Sequence, residues 1–222
     1  MEKERQVLVV FPHPDDEAFG VSGTLASHVQ NGTPVTYACL TLGEMGRNMG
    51  NPPFTDREDL PKIRKRELIE SARAIGIQDL RMMGFRDKTI EFEDEDKMTN
   101  LMTSLIQELN PSLIITFYPG YAVHPDHDAT GAAVVRAVEK MPAAARPTLH
   151  CVAFSNDCIE KLGEADIIHD ITPVNDRKLA SIRAHRSQTE QMFAGMEEQL
   201  KNQEPEVMAR INIERFWTYR FE

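Results

Sequence analysis

Cysteine is scarce: Cys39, Cys151 and Cys158 are the three in 222 residues, and no two have Cys-x-x-Cys spacing. Cys39 and Cys151 lie inside apolar runs, so buried free thiols are expected and a disulfide framework is not. Basic residues are in deficit, 25 Lys and Arg against 35 Asp and Glu, giving a formal charge of −10 and a pI near 5.2. That balance argues against a nucleic-acid or anionic-membrane partner, both of which need a basic face, and leaves small molecules as the natural substrates. No apolar run approaches about 18 residues, the length that spans a bilayer. The chain opens on Glu2-Lys3-Glu4-Arg5 with no signal-peptide pattern, so a soluble, cytoplasmic protein is expected. Internal repeats, linkers and low-complexity segments are also missing. At 222 residues and 41% hydrophobic, the chain suits one well-buried α/β domain over residues 1–222.

Two polar stretches stand out, His13-Pro14-Asp15-Asp16-Glu17 and His124-Pro125-Asp126-His127-Asp128. Each follows an apolar run that reads as a strand, residues 7–11 and 113–118. In an open parallel sheet, ligands bind beyond the carboxyl ends of the strands, so the two stretches are expected to meet over one site. His13 and Asp16 are three apart, as are His124 and His127, which puts each pair on one face if a helix starts there. Imidazoles mixed with carboxylates suit a divalent metal. Zinc prefers this set, and iron, cobalt or manganese also accept it. Each Pro-Asp alone also reads as an ordinary helix start. Three consecutive acids tip the balance, because two carboxylates ~4 Å apart repel by roughly 4 kcal/mol at an effective dielectric of about 20, a cost that a bound cation removes.

The rest of the chain alternates between the two kinds of element. Residues 23–30 read as a helix stopped by Gly32 and residues 35–42 as a second strand, a βαβ opening that implies a right-handed crossover and a parallel sheet. At the first βα turn, where a nucleotide fold needs Gly-x-Gly-x-x-Gly or a phosphate loop, the chain has His-Pro-Asp-Asp-Glu, which argues against dinucleotide binding. Residues 43–53, with three glycines and two prolines, form a loop on the same side of the sheet; there Glu44 and Arg47 can meet a polar substrate. Residues 57–75 are helical up to Gly76, with Arg64 and Glu67 spaced for an intrahelical ion pair. Residues 80–83 make a third strand, and Arg86 and Asp87 lie just past its end. A helix over 97–109 closes at Asn110-Pro111. Tyr121, close to His124, is placed to donate to an oxyanion or to pack. A helix over 128–140 and strands over 149–154 and 166–171 follow, with His150 and His169 read as structural. A helix or helix pair over 173–203 breaks at Gly195, and its Ala184-His185-Arg186-Ser187-Gln188 segment reads as solvated surface. The aromatic end, 211–221, is a final strand or a packed tail.

The paired motifs resemble those of the LmbE-like, or PIG-L, family of zinc-dependent N-deacetylases. Further matches are Thr41-Leu42-Gly43-Glu44-Met45-Gly46, Arg64-x-x-Glu67, Gly84-x-Arg86-Asp87 and Ala184-His185-x-Ser187-Gln188, so the likeness covers nearly the whole chain. Within the family, residues 40–47 and 117–131 look most like the second type of bacillithiol-biosynthesis deacetylase, which acts on N-acetylglucosaminyl malate. The resemblance implies a single-domain, Rossmann-like three-layer fold with a mostly parallel sheet, and a homo-oligomer, trimer or hexamer. It implies zinc, one ion per subunit, on His13, Asp16 and His127, with Asp15 as general base. His124 would stabilise the oxyanion and protonate the leaving amine, and Asp126 beside it is placed to orient its ring. Glu44, Arg47, Arg64, Asp87, Tyr121 and His185 become candidate substrate residues, with Arg47 and Arg64 suited to the malate carboxylates. Tyr121 departs from the mycothiol-pathway relatives, lying three residues before His124 instead of two, and Lys88 stands where a small residue is frequent. Other readings compete: an amidase of bacillithiol S-conjugates, sharing the amide on glucosamine; a deacetylase of another N-acetylglucosamine derivative; a non-catalytic metal-binding α/β module; and a sugar-nucleotide-binding protein, which the absent phosphate loop disfavours.

Overall fold

A computed structural model describes residues 1–221. In chain order the elements are β1 (Val7–Phe11), α1 (Asp16–Gly20), α2 (Ser22–Gln30), β2 (Val35–Cys39), α3 (Leu60–Ile75), β3 (Asp79–Met82), α4 (Glu95–Leu109), β4 (Leu113–Phe117), α5 (Pro125–Glu139), β5 (Thr148–Val152), α6 (Cys158–Leu162), β6 (Ile167–Asp170), α7 (Asn175–Ala184), α8 (Arg186–Lys201), α9 (Pro205–Asn212) and β7 (Ile213–Thr218). The strands form one sheet in the order β3-β2-β1-β4-β5-β7-β6. The first five are parallel to their neighbours, and β7 runs antiparallel to β5 and β6. This is the expected single α/β unit with helices on both sides. The chain works outward from β1 to β3, then returns to the centre with β4. The crevice between β1 and β4 is therefore the switch point where ligands bind in such sheets.

The central strands β1, β2 and β4 are buried on both faces, which is why β1 and β4 read as continuous apolar runs. Val7, Val9 and Phe11 point with Tyr37 and Ile115 toward Leu25, Leu68 and Ile75 of α2 and α3. Leu8, Val10 and Ile114 point the other way, toward Met102 and Ile106 of α4 and Val134 and Val138 of α5. All three cysteines are free and buried, as their settings predict. Among the described residues no helix is long and apolar enough to cross a membrane.

The carboxyl-terminal third differs most from expectation. The long helix breaks at His185 rather than at Gly195, which lies inside α8. A glycine within a helix costs only about 1 kcal/mol, whereas His185 is drawn wholly out of solvent to meet Glu17. The aromatic end becomes β7, inserted between β5 and β6 with Phe216 fully buried. Glu214 of this strand accepts from Gly23 N–H (3.0 Å), Thr24 N–H (2.7 Å) and Lys178 Nζ (2.8 Å), tying the sheet to the start of α2 and to α7.

His28 of α2 is 2% exposed, and neither ring nitrogen has a hydrogen-bond partner among the described residues. Burial pushes its pKa down to about 4, with Glu4 pulling the other way. A depressed pKa means that the unfolded chain binds the proton more readily. The native state is therefore expected to lose about 3 kcal/mol through this residue as pH falls from about 6.5 to about 4. Urea titrations at pH 7 and pH 5 check this: His28→Leu should narrow the gap between the two stabilities, and an unaltered gap would clear His28 of the effect.

Candidate active site

Strand β1 ends at Phe11, and the next four residues turn sharply enough to start α1 at Asp16. The turn depends on Asp15, which adopts a left-handed backbone (φ 101°). Asp tolerates that region better than most residues. Its N–H donates to Glu17 Oε2 at 3.1 Å, and Asp16 Oδ2 accepts from His13 N–H at 2.8 Å. On the other side of the crevice, β4 runs into a loop whose Gly120 and Ala122 N–H groups donate to Asp128 Oδ1. His124 is the N-cap of α5, its Nδ1 accepting from Asp126 N–H at 3.1 Å. Gly131 lets α5 lie against the end of β4, since a Cβ there would overlap the Phe117 carbonyl oxygen. His127 consequently stacks on the Phe117 ring, centroids 4.0 Å apart.

His13, Asp16 and His127, the trio that the family resemblance implies, come together. His13 Nδ1 lies 3.1 Å from His127 Nε2; Asp16 Oδ1 is 3.2 Å from His127 Nε2, and Asp16 Oδ2 is 3.5 Å from His13 Nδ1. The outward nitrogens are engaged elsewhere. His127 Nδ1 is 3.0 Å from Ala122 O, and His13 Nε2 is 3.1 Å from Asp87 Oδ1 and 3.2 Å from Asp126 Oδ2. Protons on those outer nitrogens leave two ring lone pairs and a carboxylate facing one another. Zinc–nitrogen bonds of about 2.0–2.1 Å in a tetrahedron place donors about 3.3 Å apart, so the trio fits a divalent cation in both spacing and lone-pair direction. His13, Asp87 and Asp126 also cluster. There the carboxylates are taken up by backbone donors: Met45 N–H on Asp87, and Lys88 and Ile90 N–H on Asp126. They orient His13 and are poor candidates for a second ion.

Without a cation the trio's electrostatics favour a carboxylate between two protonated rings, a positive charge that a bound cation would replace. Burial opposes ionisation of Asp16, but His127 and His13 overcome it and hold the carboxylate well below its ordinary range. Burial likewise opposes charge on His13 and His127, and Asp16 raises both. Asp15 is pushed up by burial and pulled back by Arg64, whose Nη2 lies 2.9 Å from its Oδ2. His124 is lowered by burial and by the neighbouring rings of His13 and His127. Since its Nδ1 accepts a hydrogen bond, the neutral ring carries its proton on Nε2.

Several expectations are corrected here. Asp126 does not orient His124: its carboxylate turns to His13 and to the backbone of 88–90, and only its N–H meets His124. Arg64 and Glu67 do not pair with each other. Arg64 spans to Asp15, to the Pro14 carbonyl and to Gly43 O, across a position where any Cβ would overlap its guanidinium. Glu67 accepts from Ser187 N–H and Oγ. His185 is fully buried against Glu17 at 2.6 Å and is no substrate contact. Glu17 too turns inward, so the repulsion in the acid triplet is relieved by His185 and hydroxyls as well as by the histidines around Asp16. Tyr121 packs on Tyr118 and the cluster of Ala153, Cys158, Ala165 and Trp217, the packing alternative of its two readings. Glu44 accepts from Asp87 N–H at 3.0 Å and so shapes the floor of the site. Arg47 and Asp87 do line the open pocket of about 390 Å³, beside His13, Asp15, His124 and His127. Asp128, which shapes the loop before His124, was missed; its only sequence signal is an acid in the first turn of α5.

Comparison with known proteins places this arrangement. The family described as GlcNAc-PI de-N-acetylase (PIG-L) matches residues 8–138. A probable N-acetyl-alpha-D-glucosaminyl L-malate deacetylase 2 of Bacillus cereus is 52% identical over 99% of this chain and 100% of that one. Its namesake in Bacillus subtilis is 51% identical over 98% and 99%. Among solved structures, the N,N'-diacetylchitobiose deacetylase of Pyrococcus horikoshii superposes with a TM-score of 0.73 at 25% identity, covering 97% of this chain and 84% of that one.

Proposed function

The chain belongs to the PIG-L family of de-N-acetylases, and on that premise we propose that it is the hydrolase that converts N-acetylglucosaminyl malate to glucosaminyl malate and acetate in bacillithiol biosynthesis. The observation that carries this reading is the inward-facing trio of His13, Asp16 and His127 with a carboxylate, Asp15, in the same pocket. Those three residues would hold zinc, which when bound supplies a Lewis acid for the acetamide carbonyl and acidifies a water at neutral pH. A purely structural zinc site would be closed and would need no free carboxylate beside it.

The remaining roles belong to the chain. Asp15, fixed through Arg64 and through its own N–H on Glu17, accepts a proton from the attacking water as the new C–O bond forms. Neutral His124 donates from Nε2 to the carbonyl oxygen as that atom gains charge, much as other enzymes use an uncharged imidazole as electrophile. Asp15 then returns its proton to the sugar nitrogen while the C–N bond breaks, releasing the amine and acetate. Asp87 and Asp126 hold the His13 ring in the tautomer that frees Nδ1.

Purified protein is expected to release acetate and glucosaminyl malate in equal amounts, to stop after exhaustive chelation and to recover when zinc is added. Release that survives chelation would remove the metal from the mechanism. Failure of the zinc-loaded protein on this amide, with cleavage of a bacillithiol S-conjugate amide, would transfer the assignment to the amidase.

A further inference from the structure

We propose that Lys88, acting with Arg47, is the specificity element that binds the carboxylates of the substrate's aglycone; the inference rests on the N-acetylglucosaminyl malate reading above. The pocket is lined by three side chains of fixed positive charge, Arg47, Arg64 and Lys88. Arg64 is 4% exposed and both its terminal nitrogens are committed, to Asp15, Pro14 O and Gly43 O. The guanidinium expected to clasp a malate carboxylate is thus part of the catalytic floor. Arg47 and Lys88 are exposed, and among the described residues neither side chain has an ion-pair partner.

Both stand on anchored backbone. The Arg47 loop is tied to the start of α8, where Asn48 Nδ2 donates to Gln188 O (3.3 Å), Gln188 Nε2 donates to Asn48 O (3.0 Å) and Gly50 N–H donates to Ser187 O (3.0 Å). Lys88 N–H donates to Asp126 Oδ2 at 2.7 Å, the same oxygen that meets His13 Nε2, so its Cα has a fixed place relative to the reacting amide. Lys88 also adopts a left-handed backbone, φ 63°. Glycine or asparagine takes that conformation at less cost, so a lysine there is most simply explained by its side chain. Charge points the same way. A chain of net charge −10 repels a dianion at long range, and two unpaired cations lining the pocket offset that repulsion where an aglycone with two carboxylates would meet them.

The test compares kcat/KM of the zinc-loaded enzyme for N-acetylglucosaminyl malate and for the uncharged methyl glycoside of N-acetylglucosamine. Wild type should favour the dicarboxylate, and raised salt should erode that preference. In Lys88→Met the ratio of the two kcat/KM values should fall by roughly ten- to hundredfold, as for loss of a charged hydrogen bond, mostly through KM. Lys88→Arg should keep most of the preference, and Arg47→Met should lower it in the same sense. A strong wild-type preference that survives Lys88→Met overturns the role of Lys88 and leaves the proposed substrate standing. Cleavage of both substrates by wild type with a ratio near one overturns the malate reading, and this inference with it.

Discussion

Asp15→Asn is expected to lower kcat by about 10²- to 10⁴-fold while the protein keeps its fold and its metal, the range in which a positioned proton acceptor contributes. Asparagine suits the test better than alanine, because residue 15 sits at φ 101° and asparagine visits the left-handed region more readily. The amide oxygen can still accept from Arg64, and the backbone N–H can still reach Glu17. Only the ability to take a proton is removed. Because Asp15 lies outside the trio of inward-facing donors, metal content measured by atomic emission should match that of wild type. His13→Ala removes a member of the trio and should lose metal and turnover together. Full activity in Asp15→Asn would move the proton-accepting role elsewhere, with Asp87 the next carboxylate lining the pocket. Loss of metal in that variant would make Asp15 a ligand.

The contrast between the two substitutions follows a line that the sequence partly reveals. Apolar runs followed closely by His-Pro-Asp are enough to place both motifs at strand ends, but His13 lies in the turn before α1, so its approach to Asp16 comes from the left-handed backbone at Asp15 and not from helical i, i+3 spacing. What spacing cannot reveal is the partner of a residue whose neighbours come from far along the chain. Arg64 and Glu67 have the separation of a helical ion pair, yet exposed pairs of that kind contribute only about 0.3–0.5 kcal/mol. Buried hydrogen bonds to Asp15 and Gly43 for one, and to Ser187 for the other, outweigh it. His185 sits 168 positions from Glu17, and nothing local marks it as buried. Asp126 shows the same limit at short range. Its place beside His124 suggests that pairing, but the first turn of α5 points the carboxylate at His13 and at the backbone of 88–90.

Glu17→Ala is expected to be among the most destabilising single changes, about 3–5 kcal/mol, the cost of breaking a buried ion pair from one side. The carboxylate is fully buried and accepts from His185 Nε2 at 2.6 Å, Ser71 Oγ, Tyr37 OH at 3.1 Å and Asp15 N–H at 3.1 Å. Burial opposes charge on both members of the pair, but their mutual attraction holds Glu17 below and His185 above the ordinary values. Removing one member leaves the other charge, or an unsatisfied ring nitrogen, inside the protein. Urea unfolding of Glu17→Gln, His185→Gln and the double variant resolves the pair. The double variant should fall short of additivity by about 1–3 kcal/mol, because a second loss costs less once the first has broken the contact. Strict additivity would show that the two residues do not act as one unit. The same contact bears on catalysis, since Glu17 Oε2 accepts the N–H that keeps Asp15 in its left-handed turn. Folded Glu17→Gln, assayed well below its melting temperature, should therefore lose kcat while still binding metal. Unimpaired turnover in that variant would mean that Arg64 alone suffices to position the base.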